Sequence, residues 1–288
     1  MQSFTAKNTQ FYYTALGHSI SEAPETARDE QNESEKESQS KSAHHPRPLI
    51  IWGHGWGQSG KAFEALAQSL QALGAHCLLD FPGFGASPKP QDDWSTKDYA
   101  DAIADHLKQS RLIDRHGKII WIGHSFGGRV GLQLASHHPD LVGQLIIIAG
   151  AGLQRKHSLL QKLKRKTRAL IYQSLKKLAL LGLLDQDKLF RCYASRDYQN
   201  AGEMREIFRN VIREDLTAQA QNISAPTLLI YGENDSETPP EFGERFHRLI
   251  KNSQLHILHG QDHYSVLSSG RHQVAGLIDD FVKEHTKP

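Results

Sequence analysis

Apolar positions along the chain fall into two recurring patterns. Short, nearly all-apolar runs occur at 48–53 (PLIIWG), 75–81 (AHCLLDF), 118–123, 144–149, 225–232 (APTLLIYG) and 253–260 (SQLHILHG). Their length and their bounding glycines and prolines predict strands buried on both faces. Between them lie stretches with apolar residues three and four apart: 59–73, 95–110, 126–137, 239–250 and 273–285. These predict amphipathic helices. Gly74 stands where the first should stop, Ser95 and Asp98 form a capping-box pattern for the second, and Pro139 follows the third. An aromatic run at 10–16, QFYYTAL, predicts an opening strand. Strands alternating with helices predict an α/β chain with a mostly parallel sheet covered on both faces.

Two segments break the alternation. Residues 20–47 are rich in Glu, Ser, Gln and Lys with few large apolar side chains. Such a segment buries too little surface to offset its chain entropy and is expected to be a disordered polar loop. Residues 152–221 are predicted to be mainly helical. Between Gly152 and Leu184 they carry nine Lys or Arg and no Asp or Glu, with Leu159, Leu160, Leu163, Leu170, Ile171, Leu175, Leu178 and Leu181 at helical spacing. That is a basic amphipathic helix or helical pair, placed to cap the edge of the sheet where ligands bind in open α/β folds. The expected organisation is an N-terminal strand region (1–19), the polar loop (20–47), a core (48–151 and 222–288) and a helical cap (152–221).

Composition narrows the function classes. The chain has 288 residues, 38% of them hydrophobic, and a net charge of +2, too mild for a nucleic-acid-binding footprint. Two cysteines lie far apart, outside any metal-ligand spacing, as expected of thiols in a reducing compartment. The N-terminus lacks a basic stretch followed by an apolar one, and no apolar run nears the roughly 20 residues that span a bilayer. The expectation is a cytoplasmic protein with no transmembrane segment.

The candidate chemistry centres on Gly123-His124-Ser125-Phe126-Gly127, where a predicted strand becomes a predicted helix. A Gly-x-Ser-x-Gly match alone is weak, since chance gives roughly 0.1 per chain of this length. At a strand-to-helix turn it acquires meaning: the serine is held out, and the helix N-terminus favours developing negative charge. A serine hydroxyl needs a base, and the base needs a group that fixes its tautomer. Asp235 follows the strand at 225–232 and His263 follows the one at 253–260, each in the loop after its strand. Glu233, two residues before Asp235, is the competing acid. The N–H groups of Phe126 and of Trp56, in the loop 50–58 (IIWGHGWGQ), are the candidate oxyanion donors.

With these residues in order, the chain resembles the α/β-hydrolase family, in its serine-nucleophile, carboxylesterase-like branch. The resemblance spans about 48–151 and 222–284. It rests on His54-Gly55-Trp56-Gly57, DFPGFGAS at 80–87, the elbow at 123–127 and the Asp235/His263 pair. It implies an α/β-hydrolase fold with an inserted helical cap, a Ser125-His263-Asp235 triad, an acyl-enzyme route to ester cleavage, and no metal or organic cofactor. Family members with the same triad also hydrolyse C–C bonds of ring-cleavage diketones, and some act as ligand receptors; both stay open here. Asp at the elbow marks the haloalkane dehalogenase and epoxide hydrolase branches, which Ser125 argues against. His54-Gly55-Trp56 with the 80–87 loop is also similar to carboxylesterases that act on a carrier-protein-bound methyl ester. The basic face of 152–221 would suit an anionic carrier protein or lipid surface, with Arg155, Lys162, Lys164, Arg165 and Arg168 as the docking residues. It does not match the cap of those esterases.

Other conspicuous residues have plainer expectations. Asp80 and His54 are read as loop braces, and His44/His45 and His137/His138 as solvated pairs. His256 and His259 would face opposite sides of a strand, which disfavours a metal site. GWGQSGKA at 55–62 is one residue short of a phosphate-binding loop, and Ala62 stands where Mg²⁺ would need a hydroxyl.

Overall fold

The fold was analysed in a computed structural model that describes residues 1–17, 20, 47–155, 159–181, 183–185, 192–193 and 196–286. Of the polar loop expected at 20–47, residues 21–46 lie outside the described residues; Ile20, at its start, is buried in the core.

Eight strands form one sheet: β1 (Gln2–Ala6), β2 (Thr9–Gly17), β3 (Leu49–Gly53), β4 (Ala75–Asp80), β5 (Ile119–His124), β6 (Val142–Ile148), β7 (Thr227–Gly232) and β8 (Ser253–Leu258). Their order is β1-β2-β4-β3-β5-β6-β7-β8. β2 pairs antiparallel with β1 and β4; every pairing from β4 to β8 is parallel. The antiparallel β1–β2 hairpin was not separated into two strands by the sequence pattern.

Alternation along each strand sends side chains to two cores. Leu49, Ile51, Trp121, Leu145, Ile147, Leu229 and Tyr231 pack on one face. Ile50, Trp52, Ile120, Ile122, Ile146, Ile148, Leu228 and Ile230 pack on the other. The helices among the described residues are α1 (Glu64–Ser69), α2 (Thr96–Gln109), α3 (Leu112–His116), α4 (Phe126–His137), α5 (Leu159–Leu180), α6 (Arg196–Asn200), α7 (Arg205–Arg213), α8 (Thr217–Gln221), α9 (Pro240–Leu249) and α10 (Arg271–His285). Buried α2 and α4 side chains join the first core, and those of α10 the second. The Ser95/Asp98 capping box forms as expected.

Two expectations change. Residues 59–73 do not make one helix: 3₁₀ turns at Gly60–Phe63 and Gln71–Leu73 flank α1. The Leu70 N–H bonds back to Ala67 O at 3.1 Å, and a Cβ on Gly74 would lie 2.1 Å from Pro48 O, so the chain tightens early to enter β4. The second change concerns α5. It is one helix of 22 residues, and among the described side chains of its apolar stripe Leu163, Leu170, Ile171 and Leu178 are 62%, 56%, 48% and 40% exposed while Leu175 is half-buried. Helices α5 to α8 lie in the insertion between β6 and β7.

Candidate active site

The carboxyl ends of β5, β7 and β8 deliver the three candidate groups. Ser125 joins β5 to α4 at φ 49°, ψ −102°, a backbone conformation that L residues rarely adopt. It is held there by hydrogen bonds from its own N–H to Ile148 O (3.1 Å) and to its carbonyl from Gly128 N–H (3.1 Å). The flanking glycines are required by space. A Cβ on Gly123 would lie 2.3 Å from Gly127 O, and one on Gly127 would lie 1.9 Å from Gly53 O. Gly127→Ala is therefore expected to force β3 and α4 apart, costing about 3 kcal/mol and lowering Tm by on the order of 10 °C. A thermal melt within 2 °C or so of wild type, on that same scale, would show that the turn has room to relax.

Asp235 and His263 meet as a buried pair. His263 Nδ1 lies 2.7 Å from Asp235 Oδ2, and both residues are under 6% exposed, at 5% and 3%. The carboxylate is further fixed by Glu237 N–H and Thr238 N–H on Oδ1 (2.7 and 2.8 Å) and by Thr238 Oγ1 near Oδ2 (2.8 Å). Burial alone would raise the Asp235 carboxyl. The hydrogen bonds from His263 and Thr238, with the His263 charge, outweigh burial and hold it below the usual carboxylate range. Glu233, the rival acid, turns away: it accepts from Gly260 N–H at 3.0 Å and lies 3.3 Å from His259 Nδ1.

Ser125 opens on a cavity of about 540 Å³ that it lines with Trp56, Phe126, Arg129, Glu237, Thr238 and Tyr264, among others. Among the described residues the Ser125 hydroxyl has no hydrogen-bond partner, and His263 Nε2 lies 3.5 Å from Glu237 Oε2. The Nε2 edge of the imidazole thus faces Glu237, on the wall of the cavity that Ser125 also lines. Hydroxyl–imidazole contacts in empty sites are commonly long and tighten with substrate.

Trp56 and Phe126 also line this cavity. Phe126 is the first residue of α4, so its N–H lacks a helical acceptor; among the described residues neither it nor the Trp56 N–H has a hydrogen-bond acceptor. Two N–H donors left open beside a strained serine are suited to an oxyanion. The Trp56 ring packs edge-on to Phe84 (4.9 Å) and Phe126 (5.6 Å) and against Phe208 of α7 (4.9 Å), giving the cavity an apolar wall.

Two residues that the sequence reading did not single out join these parts. His124, between the glycine and the serine, lies fully inside the protein with Nε2 2.9 Å from His263 O, so it donates to the backbone of the loop that carries His263. Burial pulls this imidazole down to about 3, keeping it neutral. Thr238 bridges the acid to Ala149 O at 3.0 Å. Neither carries a periodicity or motif that announces its role.

The expected braces sit as follows. His54 Nδ1 donates to Gly55 O (2.7 Å) and Nε2 accepts from Phe81 N–H (3.0 Å), which fixes its neutral tautomer; burial lowers its pKa to about 4. Asp80 accepts from Gly60 N–H (2.8 Å) and Ala86 N–H (2.9 Å). The Gly60 amide, which a phosphate-binding loop would need, is thereby occupied. His259 lies beyond the end of β8 rather than on it, 3.3 Å from Glu233. Among the described residues no cluster of three metal-ligating side chains occurs. Of the basic docking candidates, the side chains of Lys162, Arg165 and Arg168 lie outside the described ones. Lys164 is exposed, and Arg155 folds back to donate to Ser236 O and Glu237 O.

Comparison with known proteins places these features in context. The family model described as alpha/beta hydrolase fold matches residues 48–269. A pimeloyl-[acyl-carrier protein] methyl ester esterase of Neisseria meningitidis is 31% identical over 250 residues, covering 80% of this chain and 91% of the relative. The protein of the same name from Vibrio cholerae is 25% identical over 247 residues, covering 80% and 92%. Among solved structures, a hydrolase from Pseudomonas aeruginosa superposes with a TM-score of 0.67 at 19% identity, over 98% of this chain and 97% of that one, a likeness of fold alone.

Proposed function

The chain belongs to the alpha/beta hydrolase family, and from that premise we propose that it cleaves carboxylic esters through Ser125, His263 and Asp235. Ser125 Oγ attacks the ester carbonyl as His263 Nε2 takes its proton. Asp235 holds the Nδ1–H tautomer and stabilises the imidazolium. The Trp56 and Phe126 N–H groups receive the oxyanion. His263 then protonates the departing alkoxide, and the same groups, with water as nucleophile, release the acid and restore the serine. The observation that carries this reading is the buried 2.7 Å Asp235–His263 pair, whose Nε2 edge faces Glu237 on the wall of the cavity that the strained Ser125 lines.

Ester cleavage is favoured over other acyl chemistry because curated relatives from two genera are named as methyl ester esterases. Their names also suggest the substrate class: a methyl ester on an acyl chain borne by a carrier protein. Residues 152–221 are then the cap over the cavity. Arg155, Phe208 of α7 and Asp197 of α6 reach the lining from this segment, which supports that boundary. Its excess of basic side chains is complementary to an acidic carrier, and such contacts should weaken with salt. No helix among the described residues is long and apolar enough to cross a membrane.

A fluorophosphonate ester tests the nucleophile directly. The expected result is one covalent adduct, on the peptide that contains Ser125, formed in step with loss of activity toward a methyl ester substrate. Adduct formation elsewhere with the same loss, or full activity in the labelled protein, would remove Ser125 from this role.

A further inference from the structure

We infer that the cavity beside Ser125 contains a cationic subsite built on Arg129, which takes an oxyanion carried by the substrate at the end remote from the scissile ester. The inference rests on the ester-hydrolase reading and adds a substrate class to it: esters that also bear a carboxylate or a phosphate.

Arg129 sits one helical turn past the nucleophile, its N–H 3.3 Å from Ser125 O. Its side chain lines the cavity that Ser125 lines. It also lines an adjoining cavity of about 480 Å³, together with Gln154, Arg155 and Arg213. Arg129 therefore stands at the junction of the reacting centre and a second chamber whose wall carries three guanidinium groups. The acids facing these chambers are Asp197 and Glu237. Neither forms an ion pair with Arg129 among the described residues.

The guanidinium itself is poorly matched by protein. Among the described residues its one hydrogen bond is to Glu214 O, at 3.5 Å. Two carboxylates act on it through space, Glu214 and Asp215, and neither is within ion-pair distance. Glu214 is committed to Thr96, whose N–H donates to it at 2.8 Å and whose hydroxyl donates to its other oxygen. Asp215 accepts from the Thr217 N–H at 3.0 Å and from the Thr217 hydroxyl. Burial pulls the Arg129 pKa down to about 10, which still leaves it fully cationic near neutrality. A desolvated cation with open donors is costly to keep. Its planar fork of N–H groups is matched by the two oxygens of a carboxylate or the oxygens of a phosphate. Of the other two arginines, Arg155 donates from one terminal nitrogen to the Ser236 and Glu237 carbonyls, and Arg213 lines only the second chamber.

The test measures kcat/KM for three methyl esters of matched chain length, ending in a methyl, a carboxylate or a phosphate. Wild type, Arg129→Met and Arg129→Lys are compared. Wild type is expected to prefer at least one anionic ester. Arg129→Met should lower that anionic-to-neutral ratio by about 10- to 100-fold, the span of a lost charge-assisted hydrogen-bonded contact. Arg129→Lys, which keeps the charge and loses the fork, should fall between; if Arg129→Met does not fold, the Lys variant decides, with a drop of about threefold or more expected. The arm that responds identifies the oxyanion. A ratio unchanged in both anionic arms would overturn the subsite. Ser125→Ala, assayed on the neutral ester, separates the two claims: if it is as active as wild type, the hydrolase reading fails, whereas an inactive Ser125→Ala with an unchanged Arg129 ratio rejects the subsite alone.

Discussion

Replacing Ser125 with Ala is expected to reduce ester turnover by about 10⁴-fold or more while leaving the protein folded. The magnitude follows from the way a nucleophile–base unit acts: removing its nucleophile abolishes the covalent route and leaves only what the oxyanion donors and substrate binding supply. The substitution removes one oxygen from a side chain that has no hydrogen-bond partner among the described residues, so nothing that holds the elbow is lost with it. The turn is anchored by backbone bonds to Ile148 O and from Gly128 N–H and by the close glycine contacts, all of which Ala retains. The measurement is kcat/KM on an unactivated methyl ester, with a melting curve beside it. A folded variant within about tenfold of wild type would mean that another group attacks the ester.

Asp235→Asn should cost nearly as much, about 10⁴-fold, for a reason legible in the hydrogen bonds around the carboxylate. Two backbone N–H groups, from Glu237 and Thr238, point at Oδ1. An Asn at this position must keep its carbonyl oxygen toward them, because the alternative sets N–H against N–H. Its NH₂ group then faces His263 Nδ1. That nitrogen becomes an acceptor, the ring proton moves to Nε2, and the edge that should take the Ser125 proton already carries one. Against the opposing effect of burial, the hydrogen bonds from His263 and Thr238 hold the Asp235 carboxyl below its ordinary range, so it stays ionised through mildly acidic conditions. Glu233→Gln, by contrast, alters a surface contact with Gly260 and His259 and should leave the rate within about twofold. If Asp235→Asn lost little and Glu233→Gln lost much, the acid would have been assigned to the wrong residue.

The core and the site were legible to different depths in the sequence. Strands β3 to β7 announce themselves because each is buried along nearly its whole length, which leaves a mostly apolar run. Strand β8, at the edge of the sheet, is half-buried and carries Ser253, Gln254 and His256, and is marked less by its own run than by its flanks. The order of Ser125, Asp235 and His263 along the chain was readable because each lies in the loop after a predicted strand. Three features were not. The residues 59–73 share one apolar spacing, and that spacing is equally served by α and 3₁₀ turns. The stripe on α5 states that one side of a helix is apolar and is silent on what covers it; Leu163 and Leu170 are largely exposed. His124 and Thr238 act through contacts with residues 139 and 89 positions away, and local pattern carries no information at that range.

The His124 contact has one more implication. Because His124, just before Ser125, holds the main chain of the loop that bears His263, two segments distant in sequence are clamped together, and no atom of that clamp comes from the helices between β6 and β7. Changes among those helices reach this region by another route, the apolar wall where Phe208 of α7 packs on Trp56, and leave the His124 clamp itself in place.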